Sequence, residues 1–174
     1  MWIKKPQNNI NSLVTYRKSL TSRLKRHNLF KIKLVSNKRS SITSYEKNLY
    51  GIRARNFFVR NVLIELDNQP VIYAKTITQY KHSRDLISKL KNLKNRSLGS
   101  FVFNKSHYKR SDFRFQQTNS NNNLIKILNK ENIDPKNIFI TRLSFFDSSS
   151  NRILLIENFM KKIKKQIYWF LIEK

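Results

Sequence analysis

Apolar residues recur at helical spacing in some segments of the chain and alternate with polar residues in others. Between Ser12 and His27 they recur every three to four residues, a spacing that predicts a helix. Leu29–Val35 alternates and predicts a half-buried strand, whereas residues 36–50 are polar and predict a loop or a weak strand. A stripe over Leu86–Leu93 follows a capping serine and predicts another helix. The first half of the chain therefore mixes helices with strands.

Two β-hairpins give the strongest strand signals. The first joins Arg55–Asp67 to Val71–Thr78 across a polar turn that contains a proline. The second joins Ile138–Phe146 to Arg152–Phe159 across an aspartate and three serines. Consecutive hairpins predict an antiparallel sheet, and the helices between them predict an α+β fold with the helices gathered on one side.

The remaining segments complete a predicted single domain over residues 1–174. Ser106–Phe115 predicts a strand or an extended loop, and Leu124–Leu128 predicts a short helix. We expect residues 1–11 to be loose and residues 160–174 to form an extra basic helix or tail. A length of 174 residues matches the usual size of one domain.

Three charged residues occupy strand positions where alternation predicts apolar ones. Arg60 has the parity of the apolar residues in its strand, so its side chain should point towards the core. If the turn is centred on the Asn-Gln pair, Lys75 faces Val62 and lies diagonally beside Arg60 on the same face. Glu157 shares the parity of its apolar neighbours, in a chain with only 10 acidic residues.

These inward charges have two interpretations. Arg60 and Glu157 could form a structural ion pair, or either could sit at a strand end and reach water. Alternatively, two cations and one carboxylate could form a pocket that binds and converts a small dianion, because an anion would relieve the repulsion between the cations. The pattern alone leaves both interpretations open.

The composition narrows the possible classes of function. A net charge of +26 favours attraction to nucleic acid or an anionic membrane, but the excess of Lys, Asn and Ile, which have A/T-rich codons, equally indicates compositional drift. With no cysteine, and with His27, His82 and His107 far apart, we expect no metal site. Two glycines cannot build a phosphate-binding loop. Neither a membrane-spanning run nor a signal-like N terminus is present, so we expect a cytoplasmic protein.

Several short motifs follow one another from the first predicted helix to the last predicted strand. They are Ser19–Leu24, Arg60–Ile64, Gln69–Pro70, Ala74–Thr76, Leu98–Phe103, Ile140–Ser144 and Leu154–Phe159. In this order and spacing they resemble the chorismate lyase family, also called chorismate pyruvate-lyase, over nearly the whole chain.

The resemblance implies a single six-stranded antiparallel sheet, with helices and flaps that cover one face and enclose an internal ligand site. It implies conversion of the small molecule chorismate to 4-hydroxybenzoate and pyruvate without a cofactor, the first committed step of ubiquinone biosynthesis, by a monomer that requires no nucleic acid. The family's ligand contacts correspond to Leu20, Arg60, Leu98 and Glu157, and the catalytic roles fall to Arg60, Lys75 and Glu157. Lys75 stands where the family usually has arginine, so the charge is kept but the bidentate fork is lost.

Other functions remain open at this point. Effector-binding modules of some transcription regulators resemble the same fold and bind small acids without reaction, and a decayed enzyme would behave similarly. A basic RNA-associated protein would explain the charge of +26, and its affinity would fall steeply with salt. That alternative gives no reason for Arg60 and Glu157 to face inward together.

Overall fold

Eight strands form one antiparallel sheet within the residues that the computed structural model describes, namely 2–3, 11–26, 29–51, 55–80, 84–103, 107–117, 122–130 and 132–164. The strands are β1 (Trp2–Ile3), β2 (Lys31–Ser40), β3 (Phe57–Leu66), β4 (Gln69–Gln79), β5 (Lys109–Arg110), β6 (Arg114–Gln116), β7 (Ile138–Asp147) and β8 (Arg152–Met160). They lie in the order β1-β6-β7-β8-β4-β3-β2, and β5 also pairs with β7. The predicted α+β class with an antiparallel sheet is confirmed, with eight strands in place of six.

Helices pack on both faces of this sheet. They are α1 (Asn11–Val14), α2 (Leu20–Leu24), α3 (Ser44–Tyr50), α4 (Arg84–Lys91), α5 (Gly99–Val102) and α6 (Asn122–Lys130), with a 3-10 turn at Pro135–Asn137. Helices α2, α4 and α5 contribute to the largest apolar cluster, which also contains Phe58, Val62 and Ile64 of β3. Two smaller clusters on the opposite face contain Tyr50 of α3 and Leu128 of α6.

Helix α3 lies in the polar segment for which we predicted a loop or a weak strand. It begins with a capping box, in which the Glu46 amide donates to Thr43 Oγ1 at 3.2 Å and the Thr43 amide donates to Glu46 Oε2 at 2.8 Å. These reciprocal bonds satisfy two backbone donors that the start of a helix otherwise leaves free. A four-residue capping signal therefore forms a helix where apolar periodicity is missing.

Other segments differ from their predictions mainly in extent. The single helix predicted up to residue 27 is two short helices, α1 and α2, and the segment predicted as one strand or loop at 106–115 contains β5 and β6. The loose stretch expected at the N terminus falls largely on residues 1 and 4–10, and most of the basic tail on residues 165–174. Both lie outside the described residues.

The β3–β4 hairpin turns on Asp67 and Asn68 rather than on the Asn-Gln pair. Their φ angles of 49° and 59° place both residues in the left-handed region, as in a type I′ turn. A β-bulge follows, because Val71 on β4 has no partner across the hairpin. The early turn and the extra residue together set the register of the rest of the hairpin.

The observed register separates two charges that we predicted to be neighbours. Arg60 pairs with Thr76, and Lys75 pairs with Asn61 rather than with Val62. Since side chains alternate between the faces of a sheet, Lys75 lies on the opposite face from Arg60. The predicted placement of Lys75 beside Arg60 is therefore wrong, because the prediction assumed a turn one residue later and no bulge.

Candidate ligand-binding site

A cavity with about 520 Å³ of empty space, part of it open to solvent, lies between the sheet and helices α2 and α5. Residues from β3, β4, β7 and β8 form its floor, on the face that carries the largest apolar cluster. Its apolar lining includes Leu20, Ile32, Val62, Ile64, Leu98, Phe103, Phe146 and Leu155. Such walls suit a small organic ring, with polar groups needed only to orient it.

Four charged side chains line the same cavity. They are Arg60, Arg110, Arg142 and Glu157, and their side chains are at most 9% exposed. Three guanidinium groups and one carboxylate leave the cavity with a formal charge of +2. Unbalanced charge is costly in an apolar environment, so the excess positive charge of this cavity favours an anionic ligand.

Glu157 is held at the cavity wall by the arginine opposite it on the next strand. Glu157 on β8 pairs with Arg142 on β7, and Arg142 donates from Nε to Oε2 and from Nη2 to Oε1, both at 2.8 Å. Arg142 Nη1 also donates to the carbonyl oxygen of Val14 at 2.6 Å. Arg142 therefore serves as a fixed bidentate support for the carboxylate. The structural ion pair that we considered between Glu157 and Arg60 is not formed, and Arg142 is the partner of Glu157 instead.

Arg60 is 1% exposed and has no carboxylate partner among the described residues. Its Nη2 donates to the carbonyl oxygens of Lys94 and Arg96 at 2.9 and 2.7 Å, whereas its Nε has no hydrogen-bond partner in the described part of the chain. Burial lowers the pKa of Arg60 to about 10, so the group stays cationic at neutral pH. A buried, unsatisfied donor on a cation at a cavity wall indicates a site for an anionic ligand.

Arg110 reaches the cavity from the two-residue strand β5. Its Nη2 lies 3.6 Å from Glu157 Oε2, and its guanidinium lies over the ring of Phe113 at 4.4 Å. Arg142 lies over the same ring at 4.4 Å, so Phe113 contacts both cations. Burial lowers the pKa of Arg110 to about 10, a shift that Glu157 opposes and Arg142 reinforces.

The structure brings together four of the five residues that sequence and resemblance singled out. Leu20, Arg60, Leu98 and Glu157 all line this cavity. Lys75 does not, because it forms an ion pair with Glu46 on the other face, with 2.7 Å between Nζ and Oε1. The second cation that we assigned to Lys75 is instead supplied by arginines.

Sequence reasoning missed Arg110 and Arg142. Arg142 carried the same signal as Arg60, because it shares strand parity with the buried Ile140 and Phe146. Arg110 carried no such signal, because a strand of two residues has no alternation to read.

Helices α2 and α5 make a tight contact beside the cavity, where Ser19 and Gly99 both line it. Ser19 caps α2 by accepting a hydrogen bond from the Ser22 amide at 3.3 Å. A Cβ atom at Gly99, the first residue of α5, would lie 2.7 Å from Ser19 Oγ. Glycine is therefore favoured at position 99 because a side chain would clash with the Ser19 hydroxyl, and not because the backbone conformation needs glycine.

We expect Gly99→Ala to lower the free energy of unfolding by about 1 kcal/mol, because the new methyl group displaces the Ser19 cap. In a Ser19→Ala background the same change should be neutral or stabilising, since alanine is the better helix former. Urea denaturation of the two single variants and the double variant measures this coupling. Additive effects of the two substitutions would contradict the assigned contact.

The described residues contain no group of three or more His, Asp or Glu side chains that could hold a metal ion, and His27 and His82 lie outside them. No helix within the described ranges is both long and apolar enough to span a membrane.

Sequence comparisons point to one family. The family model described as "Chorismate lyase" matches residues 2–168. A "Probable chorismate pyruvate-lyase" of Pseudoalteromonas translucida is 27% identical over 143 residues, covering 82% of this chain and 78% of the relative. One of Nitrosospira multiformis with the same name is 28% identical over 151 residues, covering 84% and 83%.

Solved structures that resemble the chain include domains of a repressor and of transcriptional regulators. The C-terminal domain of the histidine utilization repressor from Pseudomonas syringae matches with a TM-score of 0.55 at 10% identity, covering 76% of this chain and 92% of that one. The effector domain of PhnF from Mycobacterium smegmatis matches with a TM-score of 0.53 at 10% identity, covering 83% and 90%. At this identity the likeness concerns the fold alone.

Proposed function

The chain belongs to the chorismate lyase family, and from that premise we propose that it is a chorismate pyruvate-lyase that forms 4-hydroxybenzoate and pyruvate. The observation that carries the proposal is the apolar cavity with three arginines and one glutamate. Chorismate is a dianion with a six-membered carbon ring, so its two carboxylates match the formal charge of +2 and its ring matches the apolar walls. The family and the cavity thus support the same substrate independently.

The reaction needs little chemical assistance from the protein. The ether bond between the ring and the enolpyruvyl group breaks, a ring C–H bond breaks at the neighbouring hydroxyl-bearing carbon, and the hydrogen ends on the methylene carbon, which becomes the methyl group of pyruvate. The ring becomes aromatic, and this supplies the driving force. Binding in a reactive conformation, stabilisation of charge on the departing oxygen and transfer of the ring proton are the tasks left to the site.

We assign the two carboxylates of the substrate to different cations. Arg60, with its free Nε, binds one carboxylate. Arg110 binds the other carboxylate or the ether oxygen, and thus takes the role that we had predicted for Lys75. Leu20 and Leu98 line the slot for the ring and help to exclude water. Arg142 acts as a positioning residue, because its donors are occupied by Glu157 and backbone carbonyls.

Glu157 faces the ligand with a carboxylate that two arginines hold in place. It either accepts a hydrogen bond from the ring hydroxyl or moves the ring proton to the departing group.

Glu157→Gln separates these two roles. If Glu157 moves the proton, the variant should lose about 10²-fold or more in kcat, while its affinity for 4-hydroxybenzoate changes by less than about tenfold. Discontinuous assays of pyruvate release measure kcat, and titration with 4-hydroxybenzoate measures the affinity for the product. A variant as active as the wild type would exclude the proton role and leave the hydrogen bond to the hydroxyl.

The proposed activity is tested by incubating the purified protein with chorismate and measuring 4-hydroxybenzoate and pyruvate. Equal amounts of both products are expected. Binding of chorismate without products would instead favour a small-acid sensor, the second candidate, whose fold the regulator domains share. Failure to bind chorismate would overturn both candidates.

We further propose that the chain acts as a monomeric, single-domain enzyme of the cytoplasm, at the first committed step of ubiquinone biosynthesis. The product 4-hydroxybenzoate provides the aromatic ring that this pathway modifies. Size-exclusion chromatography with light scattering tests the monomer, and restoration of ubiquinone in a strain that lacks its own chorismate lyase tests the pathway.

A further inference from the structure

A second cavity lies on the opposite face of the sheet and differs in chemistry from the first. It contains about 950 Å³ of space, open to solvent, between β2, β3, β4 and the end of α6. Its lining is mainly hydroxyl groups, amides and lysines rather than apolar side chains and arginines. The two cavities use alternate residues of the same strands, since Arg60 and Thr76 line the first, and Asn61 and Lys75 the second.

Buried charges at the base of this second cavity compensate each other. Glu46 is 0% exposed and its Oε1 lies 2.7 Å from Nζ of Lys75, which is 5% exposed. The other carboxylate oxygen, Oε2, accepts from the amide and the hydroxyl of Thr43 at 2.8 and 3.0 Å. The pair is therefore fixed by the capping box of α3 and contributes no net charge.

The positive charge that remains lies at the mouth of the cavity. Lys38 on β2 and Lys130 at the end of α6 are both exposed, and neither forms an ion pair with the described residues. Three lysines and one glutamate line the cavity, a formal charge of +2. Two lysines on separate elements, above a polar floor, make a different anion site from the arginine cluster.

We infer that this second cavity binds a small phosphate-bearing ligand, a phosphate ester or inorganic phosphate. An ammonium group acts as a point charge and binds a tetrahedral phosphate without requiring a planar fork. Hydroxyl and amide groups of Ser36, Ser41 and Asn132 add the neutral polar partners that an ester with hydroxyl groups requires. This inference goes beyond the proposed lyase activity and does not depend on it.

The test is isothermal titration calorimetry at low ionic strength with inorganic phosphate and with glucose 6-phosphate. The variant Lys38→Ala/Lys130→Ala should bind either probe about tenfold or more weakly than the wild type. A matched control, Lys33→Ala/Lys126→Ala, removes two exposed lysines from the same strand and helix that do not line the cavity. It loses the same net charge and should bind as the wild type does.

A second control distinguishes the two cavities. Arg60→Met removes the free donor of the first cavity, and phosphate affinity should be unchanged in it. Tighter binding of the sugar phosphate than of inorganic phosphate identifies an organic phosphate as the ligand, and equal affinities identify the phosphate group alone. Equal weakening in both lysine double variants would assign the binding to the general basic surface and overturn the inference. Loss of binding in Arg60→Met would overturn it as well.

Discussion

Replacing Arg60 with methionine is expected to lower kcat/KM for chorismate by about 10²–10³-fold. The variant removes a cation whose Nε has no protein partner among the described residues and is thus available to a carboxylate. Hydrogen bonds to charged groups each contribute about 1.5–3 kcal/mol, so a change of this size lies within the range expected for losing one or two of them. Steady-state assays of pyruvate release, with chorismate varied, measure the effect.

The same substitution should leave the stability of the protein nearly unchanged. Methionine removes an uncompensated buried charge, which favours folding, but also abandons the bonds to the carbonyl oxygens of Lys94 and Arg96. These opposing effects should keep the free energy of unfolding within about 1 kcal/mol of the wild type. Arg114→Met, at an exposed position on β6, is the matched control and should retain full activity. An Arg60→Met enzyme with wild-type kcat/KM would exclude Arg60 from substrate binding.

Replacing Glu157 with leucine should have the largest effect on stability. The change leaves Arg142, which is 0% exposed, and Arg110 without their common carboxylate. Breaking a buried ion pair by removing one partner typically costs about 3–5 kcal/mol, because the remaining charge stays desolvated. We expect a loss of this size in the free energy of unfolding, measured by urea denaturation.

Removing both partners should recover part of that loss. In Arg142→Met/Glu157→Leu the buried guanidinium is gone, so the double variant should be more stable than Glu157→Leu alone. The exposed pair of Arg152 and Asp147 serves as a control, and Asp147→Asn should cost less than about 1 kcal/mol. A double variant no more stable than the single one would show that Arg142 is not destabilised by losing Glu157.

Strand parity alone was enough to find the two central charges of the site. Arg60 and Glu157 could be identified because each lies within a long strand with clear alternation, where one charged position stands out. The same argument applied to β7 would have found Arg142. Parity specifies the face within one strand, whereas the placement of a residue against another strand depends on the register between them.

The error at Lys75 shows this limit. The hairpin pattern predicted both strands correctly, but the register depends on which two residues form the turn and on where an unpaired residue is inserted. Asp67, Asn68 and Val71 decide this through backbone conformation, which the apolar pattern does not encode. Arg110 and the helix α3 were missed for a related reason, because short elements are specified by local contacts rather than by periodicity.

The bulge at Val71 also bears on how this protein could change during evolution. If the pairing continued from Leu66 and Gln69 without the extra residue, Lys75 would fall opposite Arg60, and Ala74 and Thr76 would turn away. Substitutions at the turn or the bulge that favour this continuous pairing would therefore exchange the amino acids that the hairpin presents to its two sides, at constant chain length. Members of the family with a different turn, or without the bulge, are where altered substrate preference should be sought first.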